Sequence, residues 1–258
     1  MPITLAQIFR HPVKGLTPES LERVVLTRGE GVPQDRRFAL AHGTTSFDPA
    51  APQWLPKTKF LMLMRNERLA QLRTRFDEAS GVLNIEGEGR VLARANILDA
   101  SGRAAIEDFF AAFMKDETSG RPKLVEAPGH MFSDGARKVI SIIGLASVGD
   151  LARAMAAPID PRRFRANFYL AGGAPWQEFD WVGRDFQIGG VRLRGVRPIK
   201  RCAATNVDPD TAARDLNIPQ ALAENFGHVN TGIYADVIEG GTACVGDALT
   251  IADSAHAS

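Results

Sequence analysis

The chain has 258 residues and 28.0 kDa, with 45% apolar and 24% charged residues, a composition that excludes a mainly disordered protein. Lys and Arg number 31 against 30 Asp and Glu, a formal net charge of +1, so bulk attraction to nucleic acid or to an acidic membrane is excluded and any anion site must be local. The opening lacks the basic start and apolar run of a signal peptide, and nothing approaches the roughly 20 apolar residues of a membrane span, so a cytoplasmic protein is expected.

The first elements are strands. "ITLAQIFRHPVK" alternates, "SLERVVLT" ends in β-branched residues, and "RRFALAH" follows a Gly-Val-Pro turn. "NERLAQLRTRFDEASGVLNIEGEG" predicts two more strands around an Asp-Glu-Ala-Ser-Gly turn. In "AAIEDFFAAFMKDE", Ile106, Phe109, Phe110 and Phe113 have the spacing of a helix with one buried face. Residues 120–135, rich in glycine and proline, read as a connector, which divides the chain into residues 1–119 and 120–258. Beyond it, "KVISIIG", "FRANFYLAG", "DFQIGGVRLRGVRPI", "YADVIEGG" and "DALTIAD" are strand-like runs separated by turn signals. Two short helices are interspersed: "SVGDLARAMA" with Ser147 as N-cap, and "PQALAENFG" with Pro219 in its first turn and Gly227 as its stop. The expected fold is mostly β with a few short helices, an α+β chain built from two small barrels or sheets rather than a doubly wound one.

Chemistry concentrates in three places. Cys202 follows Arg197, Lys200 and Arg201, and positive neighbours favour thiolate over thiol. A thiolate there can be a nucleophile, a sulfur carrier or a soft metal ligand, and the alternative is a small buried cysteine with solvated basic neighbours. Cys244, among small and apolar residues, reads as core. Two cysteines cannot supply the four ligands of a plant-type iron–sulfur cluster, so none is expected in this chain, and the five histidines form no pair at zinc-ligand spacing. In "DPRRFRANF", alternation along a strand would put Arg163 and Arg165 on one face, where they need an anion or carboxylates between them unless they form an exposed basic edge. Lys14, Arg36 and Arg37 add charge from the first half, each a surface charge taken singly. Together with the Cys202 segment they suggest an anion held between the halves. No GxGxxG or GxxxxGK[ST] loop is present, so a nucleotide at a helix N-terminus is not indicated.

The succession "HPVKG", "DRRFAL", "FSDGARKVISIIGLASVGDL", "RRFRANF", "RPIKRCAATNVDPDT" and "VGDAL" resembles the MOSC superfamily, in particular proteins with an N-terminal MOSC β-barrel domain packed on a C-terminal MOSC β-barrel. The resemblance spans nearly the whole chain. It implies a molybdenum cofactor, its pterin dithiolene and a protein cysteine holding the metal, and in relatives such as the mitochondrial amidoxime-reducing component that cysteine matches Cys202. Lys14 and Arg36 match basic positions contacting the pterin or its phosphate, Arg163, Arg165 and Asn167 fall in the corresponding MOSC motif, and Lys200 and Arg201 flank the cysteine. Asp208 lies near the expected metal, where its carboxylate would either relay protons or cap the Asp-Pro turn. The implied activity is an oxidoreductase that reduces N-hydroxylated or N-oxygenated small molecules with electrons from a separate donor protein, ferredoxin-like or a reductase, without nucleic acid or membrane. The alternative is a carrier of the cofactor or of sulfur without turnover. MOSC domains are also associated with pyridoxal phosphate binding. Three departures stand out: Lys200 replaces the serine or glycine common in the family, no Thr-Ala-Arg strand is recognisable in "WLPKTKFLML", which leaves Lys57 and Lys59 without an assigned role, and "TIADSAHAS" is not followed by a ferredoxin-like extension.

Overall fold

The computed structural model describes residues 2–251. The first half contributes β1 (Thr4–Arg10), β2 (Glu19–Leu21), β3 (Arg23–Leu26), β4 (Phe38–Ala41), β5 (Arg73–Asp77), β6 (Val82–Gly87), β7 (Arg90–Asn96), α1 (Ala100–Phe113) and β8 (Lys123–Glu126). The second contributes β9 (Ile140–Gly144), α2 (Leu145–Ala154), β10 (Phe168–Ala171), β11 (Asp185–Ile188), β12 (Val191–Lys200), α3 (Ile218–Phe226), β13 (Asn230–Glu239), β14 (Gly241–Cys244) and β15 (Leu249–Ile251). The fold is therefore mostly β with short helices, as the period-2 runs predict. No described helix is long and apolar enough to cross a membrane.

One eight-stranded sheet runs in the order β15, β11, β12, β13, β9, β10, β1, β2. Its far parts meet: Leu5 N–H donates to Asp247 O at 2.8 Å, Gly246 N–H to Leu5 O at 2.7 Å and Leu249 N–H to Ile3 O at 2.8 Å. These bonds join β1 to the approach to β15 and satisfy backbone groups that an open edge would leave unpaired. Inside lie Leu5, Ile8, Ile142, Phe168, Phe186, Leu193 and Ile233. Leu5 and Ile8, three residues apart, both face inward because the register of β1 against β10 shifts between Leu5 and Gln7, an irregularity that strict alternation does not foresee. Outside, Val148 and Leu151 of α2 and Ile218 and Leu222 of α3 cover Ile143 and Tyr169. The first half has a separate core in which α1 lays Ile106 and Phe110 against Phe38, Leu40, Phe76, Leu83 and Ile85, each large side chain contributing about 1.5–3 kcal/mol by burial.

Three local expectations change. Residues 120–135 are not a free connector, since β8 pairs with β4 and Phe132 is buried. Ser147 is not the cap of α2: the helix starts directly from β9 with Gly144 at the N-cap, and the Ser147 hydroxyl instead donates to Glu178 Oε2 at 2.8 Å and accepts the Trp176 N–H at 2.7 Å. "FRANFYLAG" is strand only from Phe168, because residues Pro161–Phe164 form a 3-10 turn and Arg165 adopts φ 53°. Of the last run, Ala252 and Asp253 lie outside the described residues.

Gly102 in the first turn of α1 gives a sharp test of packing against propensity. A Cβ there would stand 1.8 Å from the Asn96 carbonyl oxygen. Intrinsic propensity favours alanine over glycine in a helix by about 1 kcal/mol, but the displaced backbone costs about 1–3 kcal/mol. Gly102→Ala is expected to lower the chemical denaturation midpoint, whereas a raised midpoint would show that α1 shifts freely.

Candidate functional site

The pairing of β1 with β10 brings the two halves to one place. Phe9 N–H donates to Asn167 O at 2.7 Å, and Asn167 Nδ2 donates back to Phe9 O at 3.2 Å. Asn167 Oδ1 accepts from the Ser141 N–H at 3.1 Å and hydroxyl at 2.8 Å. This one amide therefore ties together the ends of β1, β9 and β10, and the chain leaving β1 carries His11 and Lys14 to the same level.

Lys14, Arg36, Lys57, Arg163, Arg165, Lys200 and Arg201 line one cleft with Cys202, and Asp134 is the one acidic residue among the described lining residues. Lys14 is buried, and its ammonium donates to Phe132 O at 3.0 Å and to Asp134 Oδ1 at 2.6 Å. Burial lowers the Lys14 pKa and Asp134 opposes that fall. Burial alone would raise Asp134, but Lys14 and Lys57 outweigh it and hold the carboxyl at about 2. Arg36, at φ 51°, bonds Asp35 and donates to Arg165 O at 2.8 Å. Behind it Asp35 is buried and accepts the His11 N–H at 2.7 Å. Burial pushes the His11 pKa well down, assisted by Arg36 and Arg165, so His11 is neutral at pH 7.

Arg165 differs from its neighbours. Its guanidinium is pushed down to about 9, by burial first and then by Arg36, and is still protonated at pH 7. No side-chain hydrogen bond or ion pair holds it among the described residues, so an unanswered positive charge faces the cleft. Uncompensated charge away from bulk water is costly, and the most economical answer is an anionic ligand.

The cysteine sits where β12 ends. Arg201 is buried, donating from Nε to Thr231 O at 2.9 Å and from Nη1 to Phe164 O at 3.0 Å, with a further bond from Nη2 to Thr231 O. It locks the strand end to the neighbouring turn. Cys202 then precedes the 3-10 turn Ala203–Asn206, its carbonyl accepting the Thr205 N–H at 3.0 Å and hydroxyl at 2.9 Å. Cys202 is a partly exposed residue and lines the cleft. Lys57 reaches it: burial lowers the Lys57 pKa, and Asp134 and Cys202 more than reverse this. Arg163 holds the following loop, donating to Asn206 O at 3.1 Å and to Asp208 Oδ2 and Asp215 Oδ2 at 2.8 Å each.

Eight sequence-nominated residues thus line a common cleft: Lys14, Arg36, Arg163, Arg165, Asn167, Lys200, Arg201 and Cys202. Asp208 does not. Its Oδ1 accepts the Asp210 N–H at 2.9 Å, the Thr211 N–H at 2.8 Å and the Thr211 hydroxyl at 2.9 Å, and its other oxygen faces Arg163. One oxygen closes the turn and the other pairs with Arg163, so of the two roles open to it the hydrogen bonds show the cap. Arg163 and Arg165 share the cleft through a turn and a left-handed residue, not through strand alternation. Cys244 is partly exposed rather than core. Asp134 and Lys57 are the residues that motif reasoning left without a role, and charge bookkeeping is the signal for Asp134, because clustered buried cations require a carboxylate.

The cleft is basic and holds a cysteine that is partly exposed. The chain belongs to the MOSC family: residues 2–129 match the MOSC N-terminal beta barrel domain and residues 129–250 the MOSC domain. It is similar to mitochondrial amidoxime reducing component 2 of Bos taurus, 29% identical over 87 residues, 34% of this chain and 25% of that protein. Mitochondrial amidoxime-reducing component 1 of Mus musculus is 27% identical over 117 residues, 45% of this chain and 34% of that protein. Among solved structures, YUAD protein from Bacillus subtilis is matched over 96% of this chain and 94% of that one, at 12% identity and a TM-score of 0.46. YiiM from Geobacillus stearothermophilus is matched over 44% and 54%, at 18% identity and a TM-score of 0.35.

The Asp134 pairing has a defined pH window. Its carboxyl is held at about 2 against about 3.9 in an unfolded chain, so the stabilisation is present above pH ~4 and is lost as pH falls towards 2. The stability difference between wild type and Asp134→Asn, read by denaturant titration, is expected to shrink from pH 5 to pH 2. A constant difference would show that Asp134 does not act through its charge.

Proposed function

We propose that this protein holds a molybdenum cofactor in the cleft between its halves, with Cys202 as the protein ligand to the metal, and that it reduces N-hydroxylated or N-oxygenated small molecules. Family membership supports cofactor binding, and the amidoxime-reducing relatives support the reaction. The observation that carries the reading is the conjunction of an accessible soft sulfur with the unpartnered guanidinium of Arg165 in one cleft. The residues fit the group: a thiolate suits a thiophilic metal, and a fixed guanidinium suits a phosphate.

In this reading Lys57 sets a positive charge beside the sulfur, which a metal-bound thiolate complements. Arg165 and Arg36 bind the anionic tail, and the Asp35 carboxylate holds the Arg36 side chain in position. Lys14 and Asp134 neutralise each other at the wall and keep it rigid. Arg201, Thr205 and Arg163 fix the turn that presents Cys202, so that little reorganisation accompanies binding. When bound, the cofactor supplies the two-electron redox chemistry that no side chain here provides. The electrons come from a separate donor protein.

Metal and pterin content and benzamidoxime turnover with a chemical reductant, measured on protein from a cofactor-competent host, test the proposal. Wild type is expected to retain both metal and pterin and to turn over, Cys202→Ser to lose metal or turnover, and Arg165→Met to lower pterin affinity by about tenfold or more, the equivalent of one charge-assisted hydrogen bond. Retained cofactor without turnover, with exchange to an acceptor protein, would replace the reductase with a carrier. Full metal and activity in Cys202→Ser would remove the cysteine from the site.

A further inference from the structure

A second cleft lies on the other side of the partition that bounds the Cys202 site. Gly15, Leu63, Arg163, Arg165 and Ala204 border both. Its walls are apolar, with Leu16, Leu69 and Leu72 from the first half facing Val207 from the loop after Cys202. Its charged lining is uniform: Arg73, Arg162, Arg163 and Arg165 border it, and among the described residues no acidic one does. The acids that answer Arg73 and Arg162, Asp210 and Asp160, stand outside the lining.

The inner end carries an unmet need. The Arg163 side chain is 3% exposed, and among the described residues its Nε–H has no hydrogen-bond partner although both terminal nitrogens are engaged. A buried donor left unpaired costs about 1–3 kcal/mol, and the residue that carries it borders this cleft. Beside it stands Arg165, whose side chain makes no hydrogen bond or ion pair among the described residues. The space is about 180 Å³, and an apolar cavity of about 150 Å³ accommodates a benzene ring. One ring therefore fits, with its polar group directed at the arginines.

We infer that this second cleft is a binding site for a small amphipathic carboxylate with a single-ring or comparably branched apolar body, the carboxylate meeting Arg163 and Arg165 and the body lying between the leucines and Val207. Because Arg165 borders both clefts, occupancy of the second is felt at the first.

Calorimetric titration of the full chain with phenylacetate and with its neutral isostere phenylacetamide tests this, with the thiols free and after alkylation by iodoacetamide. Phenylacetate is expected to saturate one site in both preparations, with phenylacetamide weaker by about tenfold or more, the equivalent of one charge-assisted bond. Ser20→Trp, an exposed position on β2 that borders the cleft, is expected to abolish binding while leaving the circular dichroism spectrum unchanged. Absence of saturable binding, equal affinity for the two compounds, or binding that is lost on alkylation yet survives Ser20→Trp would each overturn the assignment, the last by moving the ligand to the Cys202 cleft.

Discussion

The antiparallel pairing of β1 with β10 is the constraint on which the rest of the molecule depends. It carries the first strand of the chain into the sheet built by the last third, and the exchange of hydrogen bonds between Phe9 and Asn167 fixes the point where the chain leaves that sheet. His11 and Lys14 are a few residues further on, and the Phe38 carbonyl accepts the Lys14 N–H at 2.8 Å, which draws in the strand following Asp35 and Arg36. Residues separated by well over a hundred positions become neighbours because one strand is shared.

Around that junction the protein concentrates positive charge and neutralises it unevenly. Lys14 and Lys57 share Asp134, Arg36 has Asp35, Arg163 has two aspartates and Arg201 has backbone carbonyls. These bonds rigidify the walls and use up the charges that make them. Among the described residues, Arg165 alone of the buried or half-buried cations of the cleft has no such hydrogen bond or ion pair. Its left-handed backbone, at φ 53°, is what turns its side chain out of the sheet direction, a conformation uncommon for a residue with a Cβ and one that accumulates where function requires it. The same turn puts Arg163 on the opposite duty, buried and clamping the loop that follows the cysteine.

Much of this was legible in the chain itself. The strand pair around "DEAS", α1 and its buried Ile106 and Phe110, and the stop of α3 at Gly227 all follow from period and turn chemistry, which are local, whereas the run "DFQIGGVRLRGVRPI", read as one strand, is the hairpin of β11 and β12. Cys202 and its basic neighbours were visible as composition. What the sequence does not reveal is non-local. The bulge in β1 shifts inward residues off strict alternation, the arginines converge through a turn rather than a strand, and Asp208 divides its oxygens between the Asp210–Thr211 turn and the distant Arg163, an arrangement that only the loop's path decides. Asp134 was hidden because the residues it neutralises, Lys14 and Lys57, are distant in sequence.

The sharing of strands also bears on how such a chain can be cut and recombined. Besides β1 and β2 in the eight-stranded sheet, β3 pairs with β14 across the length of Arg23–Leu26, so three strands encoded early belong to sheets whose other strands are encoded late. A polypeptide beginning near residue 129 would lack them, and β10 and β14 would each present a row of unpaired amides and carbonyls flanked by apolar side chains, the kind of edge that recruits other strands. The midpoint of the chain is therefore not a boundary between sheets: a hybrid that swaps the later half of this chain for another separates that half from strand partners within the first twenty-six residues.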